Sequence, residues 1–478
     1  MRFSRHFRLN KKQAELDFVD IPVNTDIPLF LDPYALSTQE DIFSIACNNL
    51  VVNFFQKIID DIRAGSFDQA KHNLNLLGEP NETHLGLSTG ESHGKGVSGK
   101  QSLDVFYRLK DSKAVETGFL KDLSDCELVI PNISKDKISD MVTNIIKSKL
   151  IEYTEQQCKT YNIATTSISS GRYWSPEENR WTERYAELPI YQHKRIILVP
   201  KALVRYSLTY NHQKFYNGFV LEYLQDEHLL ASTGLVTLLK NGNRVVYKKT
   251  LKQDDRYKLT KEFLYQFSQE HPEVLADYLK SLPNNLPSLT NEQIERKQQN
   301  PETFDIDTLI RKLQAIPAGT EHAGSYHEAM VGILEVIFYP NLYGPVKEEG
   351  IHEGRKRIDI TYLNGAKTGF FEYLVNHVPS SLVICECKNY SSDPANPELD
   401  QLSGRFSPRR GKFGILLCRK IENKELFTKR CKDTSSDERG FIIALDDEDV
   451  IQLLKYKREG DDEAINQFFI QKYKELIT

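Results

Sequence analysis

The stretch Leu382–Lys388 reads LVICECK, a nearly continuous apolar run that ends in charge. A run of this kind reads as a core strand. Strand side chains alternate between faces, so Ile384, Glu386 and Lys388 project from one side and Val383, Cys385 and Cys387 from the other. A carboxylate and an ammonium set into such a strand are costly unless they are paired or used. Asp359 poses the same problem between Ile358 and Ile360, inside the alternating stretch RIDITYL at 357–363. Two carboxylates that meet at strand ends suit a hard cation such as Mg²⁺, with waters completing its shell. Such an ion activates a water and stabilises charge on a phosphate, and Lys388 would position the water or the scissile phosphate.

The surroundings extend the pattern. Residues 307–313 and 326–338 are expected as helices, the second with Met330, Ile333, Leu334 and Ile337 on one face. Asn364-Gly365 is a turn signal, which makes 370–374 the expected hairpin partner of 357–363. Residues 412–418 and 440–445 read as further core strands, and 448–455 as a closing helix. Pro283, Pro287 and a polar run up to Pro301 mark a linker over 282–303. The reading therefore gives an N-terminal region (1–281), that linker and a C-terminal domain (304–478). The chain's 478 residues fit about two to three domains.

Within the N-terminal region, Leu16 to Leu36 is broken by Pro22, Pro28 and Pro33 into extended pieces and turns. Its acids Asp17, Asp20, Asp26 and Asp32 read as solvated turn residues. A helix is expected over 42–62, and mostly helical structure over 103–165. The glycine-rich segment 86–102 carries Gly94 to Gly99-Lys100 in P-loop spacing. Gln101 stands where Mg²⁺ would need Ser or Thr, so a flexible surface loop is the expectation. Lys194 to Lys258 holds 12 Lys or Arg against 5 acids, interleaved with Tyr206, Tyr210, Phe215, Tyr216, Phe219 and Tyr223. It is either a phosphate-binding surface with stacking aromatics, using Lys248, Lys249 and Lys252, or a solvated basic face over an aromatic core.

Composition adds limits. Apolar residues at 40% and charged residues at 27% are ordinary for a globular protein, and a net charge of −5 nominates no partner. No run approaches the roughly 18 apolar residues of a membrane span, and no apolar segment with a cleavage site follows the basic start. Seven scattered cysteines fit neither a disulfide framework nor a zinc site, so a cytoplasmic setting without membrane contact is expected.

A helix bearing Glu, then Asp359 in GRKRIDI, then Glu386-Cys387-Lys388 after an apolar strand resembles the PD-(D/E)XK nuclease superfamily over residues 304–478. Ile358 stands before Asp359 where a Pro can occur. The resemblance implies a mixed α/β (α+β) fold with a restriction-endonuclease-like αβββαβ core beside a large mixed N-terminal region. It also implies Mg²⁺, with Mn²⁺ as a substitute, held by Asp359, Glu386 and Cys387. Lys388 assists the attacking water, Glu328 completes the site from the helix, and Gln401 follows the third strand. Glu328 is preferred to Glu335 because it lies near the helix start. Arg405 and Arg409 are expected on nucleic acid. The implied activity is endonucleolytic cleavage of DNA, with RNA left open. The setting resembles prokaryotic restriction and antiviral defence, with a neighbouring-gene protein or a second copy as partner. The alternative is a nucleic-acid- or protein-binding module built on an inactive nuclease fold.

Overall fold

In chain order the C-terminal part runs α1 (Ile306–Ala315), α2 (Ala323–Phe338), β1 (Leu342–Ile351), β2 (Lys356–Asn364), α3 (Gly369–His377) and β3 (Leu382–Lys388). It continues through α4 (Asn396–Ser403), β4 (Phe413–Cys418), α5 (Lys424–Ser436), β5 (Phe441–Leu445), α6 (Asp447–Glu459) and α7 (Asp462–Ile477). The five strands form one sheet in the order β1-β2-β3-β4-β5, antiparallel for the first two pairings and parallel for the last two. The fold is mixed α+β. This is a computed structural model, and it describes residues 1–87, 100–110, 135–207, 212–282, 287–298, 300–351, 353 and 355–478.

β3 is the middle strand, and every residue of it after Leu382 is buried. β4, FGILLC, is buried throughout. Parallel strands covered on both faces read as unbroken apolar runs, which is why both were visible in the sequence. α2 covers the face bearing Cys385, where Tyr362 Oη donates to Val331 O at 3.4 Å. α4 covers the face bearing Glu386, where Gln401 meets it.

The expected hairpin fails here. Residues 370–374 are not the hairpin partner of β2; they lie in α3, because Phe370, Phe371 and Leu374 are buried at helical spacing while Tyr373 is exposed. The partner of β2 is β1, on its N-terminal side. Its register shifts between Tyr343 and Val346, where Gly344-Pro345 falls and Gly344 takes φ +64°. Such a bulge and the acidic Lys347-Glu348-Glu349 tail hide the strand from an alternation test.

The linker is likewise not a free tether. Leu289 and Ile294 are buried, and Arg2 grips Glu295 with two hydrogen bonds of 2.9 and 3.0 Å. One hydrophobic core runs from Phe3 to Val204 and on through Leu289 to Leu476, so both parts of the chain share it. A second, smaller core gathers Tyr34 with residues from Phe215 to Leu282.

The aspartates of 17–32 are not solvated. Asp17, Asp20 and Asp32 are buried. Asp17 accepts from Tyr153 Oη and from the Gly344 N–H at 2.8 Å, and Asp20 accepts from Ser4 N and Oγ at 2.8 and 2.7 Å. Asp32 accepts from the Tyr34 N–H at 3.1 Å, and Asp26 lies 3.8 Å from His84. Buried carboxylates survive only with such donors.

The expected early helix is present as Ile42–Arg63, capped by Asp41, whose carboxylate accepts from the Ser44 N–H at 2.9 Å. Among the described residues it is the helix long and apolar enough to cross a membrane, but it buries Phe54, Phe55, Ile58 and Ile59 in the shared core. Lys100–Lys110, Lys135–Ile145 and Lys147–Thr160 are helical as expected. Residues 88–99 of the glycine-rich segment lie outside the described residues, as do 111–134.

Candidate active site

β2 and β3 pair antiparallel with Ile360 opposite Cys385, and continuing that register sets Asp359 opposite Glu386. Directly opposed residues of an antiparallel pair share a face, so the two acids face the same side at the point where the ladder opens. The Cys387 N–H, left without a strand partner there, donates to Asp359 Oδ2 at 2.9 Å. Lys388, two residues beyond Glu386 on the same face, places Nζ 3.4 Å from Glu386 Oε2. From α4, Gln401 closes the ring: its Oε1 accepts from Lys388 Nζ at 3.1 Å and its Nε2 donates to Glu386 Oε2 at 3.1 Å. The group sits at the C-terminal end of β3, beside a parallel neighbour, the usual place for ligands in such sheets.

Burial is uneven. The Glu386 side chain is fully buried, whereas the Asp359 side chain is 21% exposed and opens the cluster to solvent. Burial and then the Asp359 charge push the Glu386 carboxyl up to about 7, against the pull of Lys388. Burial works against the Lys388 ammonium, but Glu386 and Asp359 outweigh it and hold it above the ordinary lysine range. Lys388 is therefore a charged donor at neutral pH rather than a proton acceptor. Glu386 Oε1 has no hydrogen-bond partner.

Not every expected residue joins this group. Glu328 does not: it is exposed on the opposite side of α2, lining a cleft with Lys11, Glu15 and Lys312. Consecutive helix positions are about 100° apart, and it is His327 that turns toward β3. His327 Nε2 lies 3.0 Å from Cys387 O and 3.7 Å from Asp359 Oδ2. Glu335 is fully buried and faces Lys201, 3.5 Å away. Cys387 offers its main chain alone to the cluster, since its thiol points to the other sheet face. Arg405 turns inward, its Nε 3.6 Å from Glu386 Oε1, whereas Arg409 stays exposed. His327 carried no sequence signal beyond its place next to Glu328.

The basic segment divides. Lys201 and Arg205 are buried in the main body. Phe215 and Tyr216 are buried in the smaller core, with Phe219 and Tyr223 packed on it, so these aromatics are not stacking platforms. Tyr206 packs against the main core, and Tyr210 lies outside the described residues. Lys248 is engaged by Glu222 and by Asn217 O, both at 2.8 Å, while Lys249 and Lys252 are exposed.

A family profile described as a domain of unknown function (DUF8370) matches residues 8–211. No curated protein and no solved structure matches the chain. The matched stretch includes Asp17 and Lys201, which contact Gly344 and Glu335, but none of the acidic cluster.

Among the described residues, no group of three or more His, Cys, Asp or Glu side chains is arranged to hold a metal ion. What the strand ends bring together instead is two opposed carboxylates, one of them solvent-accessible, with the Cys387 main chain beside them, its N–H on Asp359 and its carbonyl on His327. Mg²⁺ takes one or two carboxylates and keeps several waters, so this donor set fits it.

Proposed function

We propose that the chain is a metal-dependent nuclease of the PD-(D/E)XK kind, hydrolysing phosphodiester bonds of DNA. The observation that carries this reading is the pairing of Asp359 and Glu386 across the open end of a strand pair, with Lys388 on the same face. The helix–three strands–helix–strand order of α2, β1, β2, β3, α4 and β4 supports a restriction-endonuclease-like core, with α3 inserted between the second and third strands.

Asp359, Glu386 and the Cys387 carbonyl would hold Mg²⁺, which when bound supplies a polarised water and positive charge beside the phosphate. Lys388 is placed to donate from Nζ to the phosphoryl oxygen on which charge builds, or to the attacking water. Gln401 keeps Nζ aimed by accepting from it, and Arg405 offsets the charge of Glu386. The water oxygen forms the new bond to phosphorus as the bond to the leaving deoxyribose oxygen breaks; the proton the water gives up passes to solvent, and solvent water returns one to the leaving oxygen. The exposed Lys356, whose ammonium approaches Gly404, and Arg409 provide cations beside the site for backbone phosphates. Restriction or antiviral defence, in a cytoplasmic setting and with a protein or second copy as partner, is the context this reading proposes.

The test is cleavage of supercoiled plasmid, linear duplex, single-stranded DNA and RNA with Mg²⁺, Mn²⁺ or EDTA. Metal-dependent cutting of DNA is expected. Binding of nucleic acid with no cutting under any metal would favour the inactive binding module.

A further inference from the structure

On the side of α2 away from the acidic cluster lies a cleft of about 570 Å³. Leu9 and Tyr161 wall it from the N-terminal region, and Leu309, Ile316, Ala329 and Ile333 from the C-terminal part. Small-molecule sites have this size and this largely apolar lining, with a few placed polar groups. Here the placed group is Lys11. Its side chain is 9% exposed, and an ammonium has three protons to donate. Yet Nζ reaches Glu328 O at 3.5 Å and Glu15 Oε1 at 4.0 Å, both at the far limit of such contacts. The Glu15 carboxylate is also engaged elsewhere, accepting from the Lys12 N–H at 3.0 Å. Burial pushes the Lys11 ammonium down, Glu15 and Glu328 pull it back up, and Lys312 lowers it further. A buried cation so thinly partnered is costly unless something else meets it. Gly332 makes the space it occupies, because a Cβ there would stand 2.9 Å from Nζ. Glycine inside a helix is itself unfavourable, so its place in α2 fits a need for that room. Arg8, Asn10 and Asn162, on the same cleft, hold left-handed backbones with φ 56°, 51° and 53°. Asparagine tolerates that region better than arginine, and such strain gathers where ligands are clamped.

We propose that this cleft binds a small phosphate-headed molecule with an apolar body, its phosphate on Lys11 at the floor and on Arg8 and Lys312 at the rim. Three cations line the cleft against Glu15 and Glu328, and Glu328 sits at the exposed rim. A phosphate brings two charges and several acceptor oxygens, enough for the unmet Lys11 donors and for the rim cations. The apolar walls then cover the rest of the molecule. Because the lining comes from both parts of the chain, an occupant would tie them together and stabilise the folded chain by mass action. Binding there requires no cutting, so the site stands apart from the nuclease reading.

The test is calorimetric titration of the full chain with inorganic phosphate, phenyl phosphate and adenosine monophosphate, with thermal melting in each. Wild type should bind all three and melt higher in their presence. The two organic probes should bind at least about tenfold more tightly than inorganic phosphate, because they also bury apolar surface. Lys11→Met keeps the length of the side chain and removes its charge, and should weaken every probe at least about tenfold. Gly332→Ala keeps every charge but crowds Nζ, and should weaken them likewise. Alanine favours the helix, so this variant serves even where Lys11→Met does not fold. No binding of any probe by wild type, or affinities unchanged in either folded variant, would overturn the proposal. Equal affinity for inorganic phosphate and the organic probes would also overturn it, since the apolar walls would then contribute nothing.

Discussion

Glu386 is the residue on which the energetics of the site turn. Its side chain is fully buried and its carboxyl is pushed up to about 7, first by burial and then by Asp359. A folded-state value above the ordinary 4.5 means that the folded protein holds this proton more tightly than the unfolded chain. Its contribution is thus most favourable below about pH 4.5, falls as pH rises toward 7 and stays low above it. Metal-free wild type should lose on the order of 3 kcal/mol relative to Glu386→Gln across that window. Denaturant melts of the two proteins at pH 5 and pH 8 check this: wild type should lose stability relative to Glu386→Gln between the two, and a difference that does not change with pH would contradict the assignment. Glu386, Lys388 and Asp359 were legible because they interrupt apolar alternation, and Gln401 only through the family resemblance. His327 was not, since helical spacing alone does not say which of two adjacent residues faces a strand end. Asp17 and Asp20 misled for a related reason: their donors, Tyr153, Gly344 and Ser4, become neighbours only in the folded chain.

Elements buried on both faces announced themselves, and those with mixed surroundings did not. β3 and β4 are unbroken apolar runs, whereas β1 carries Gly344-Pro345 and two consecutive acids and escaped notice. The α3 segment reads as a strand in the sequence because a short apolar cluster after a turn signal fits a strand and a helix equally well. The unit at 212–282 puts the rings of the basic segment into the smaller core, so they serve packing, while its surface lysines are the part that phosphate binding would use. Phe215, fully buried and 5.1 Å from the Tyr278 ring, should cost about 3–5 kcal/mol of that unit's stability when changed to Ala. Lys249 and Lys252 belong to the same unit but to its surface. Changing both to Ala should leave melting unaltered and lower the salt dependence of DNA binding by about two contacts. Filter binding across a salt series reads this out, and an unchanged slope would leave these lysines merely solvated.

At the scale of the whole molecule, one core joins both ends of the chain. Arg2 holds Glu295, Asp17 holds the Gly344 N–H, and Lys201 lies fully buried 3.5 Å from Glu335. Burial pushes the Glu335 carboxyl up to about 8 and the Lys201 ammonium down, so both are driven toward their neutral forms. The C-terminal part is therefore not a free-standing unit. Residues 304–478 alone would expose Glu335 and the bulge of β1, and should melt well below the full chain or aggregate. Equal melting temperatures in differential scanning calorimetry would contradict the shared core. The sequence suggested a linker here because its prolines and polar residues resemble one; its buried Leu289 and Ile294 are too few to signal packing.

The central claim is that Asp359, Glu386 and Lys388 form a hydrolytic site, and plasmid cleavage tests it most directly. Supercoiled DNA is incubated with wild type and with Asp359→Ala, purified side by side, in Mg²⁺, Mn²⁺ and EDTA, after melting curves confirm that both fold. The account predicts metal-dependent nicking or linearisation by wild type, abolished by EDTA and reduced at least about a hundredfold in Asp359→Ala. Equal cutting by the two proteins would contradict it, because a site stripped of its solvent-facing carboxylate could not be the one at work.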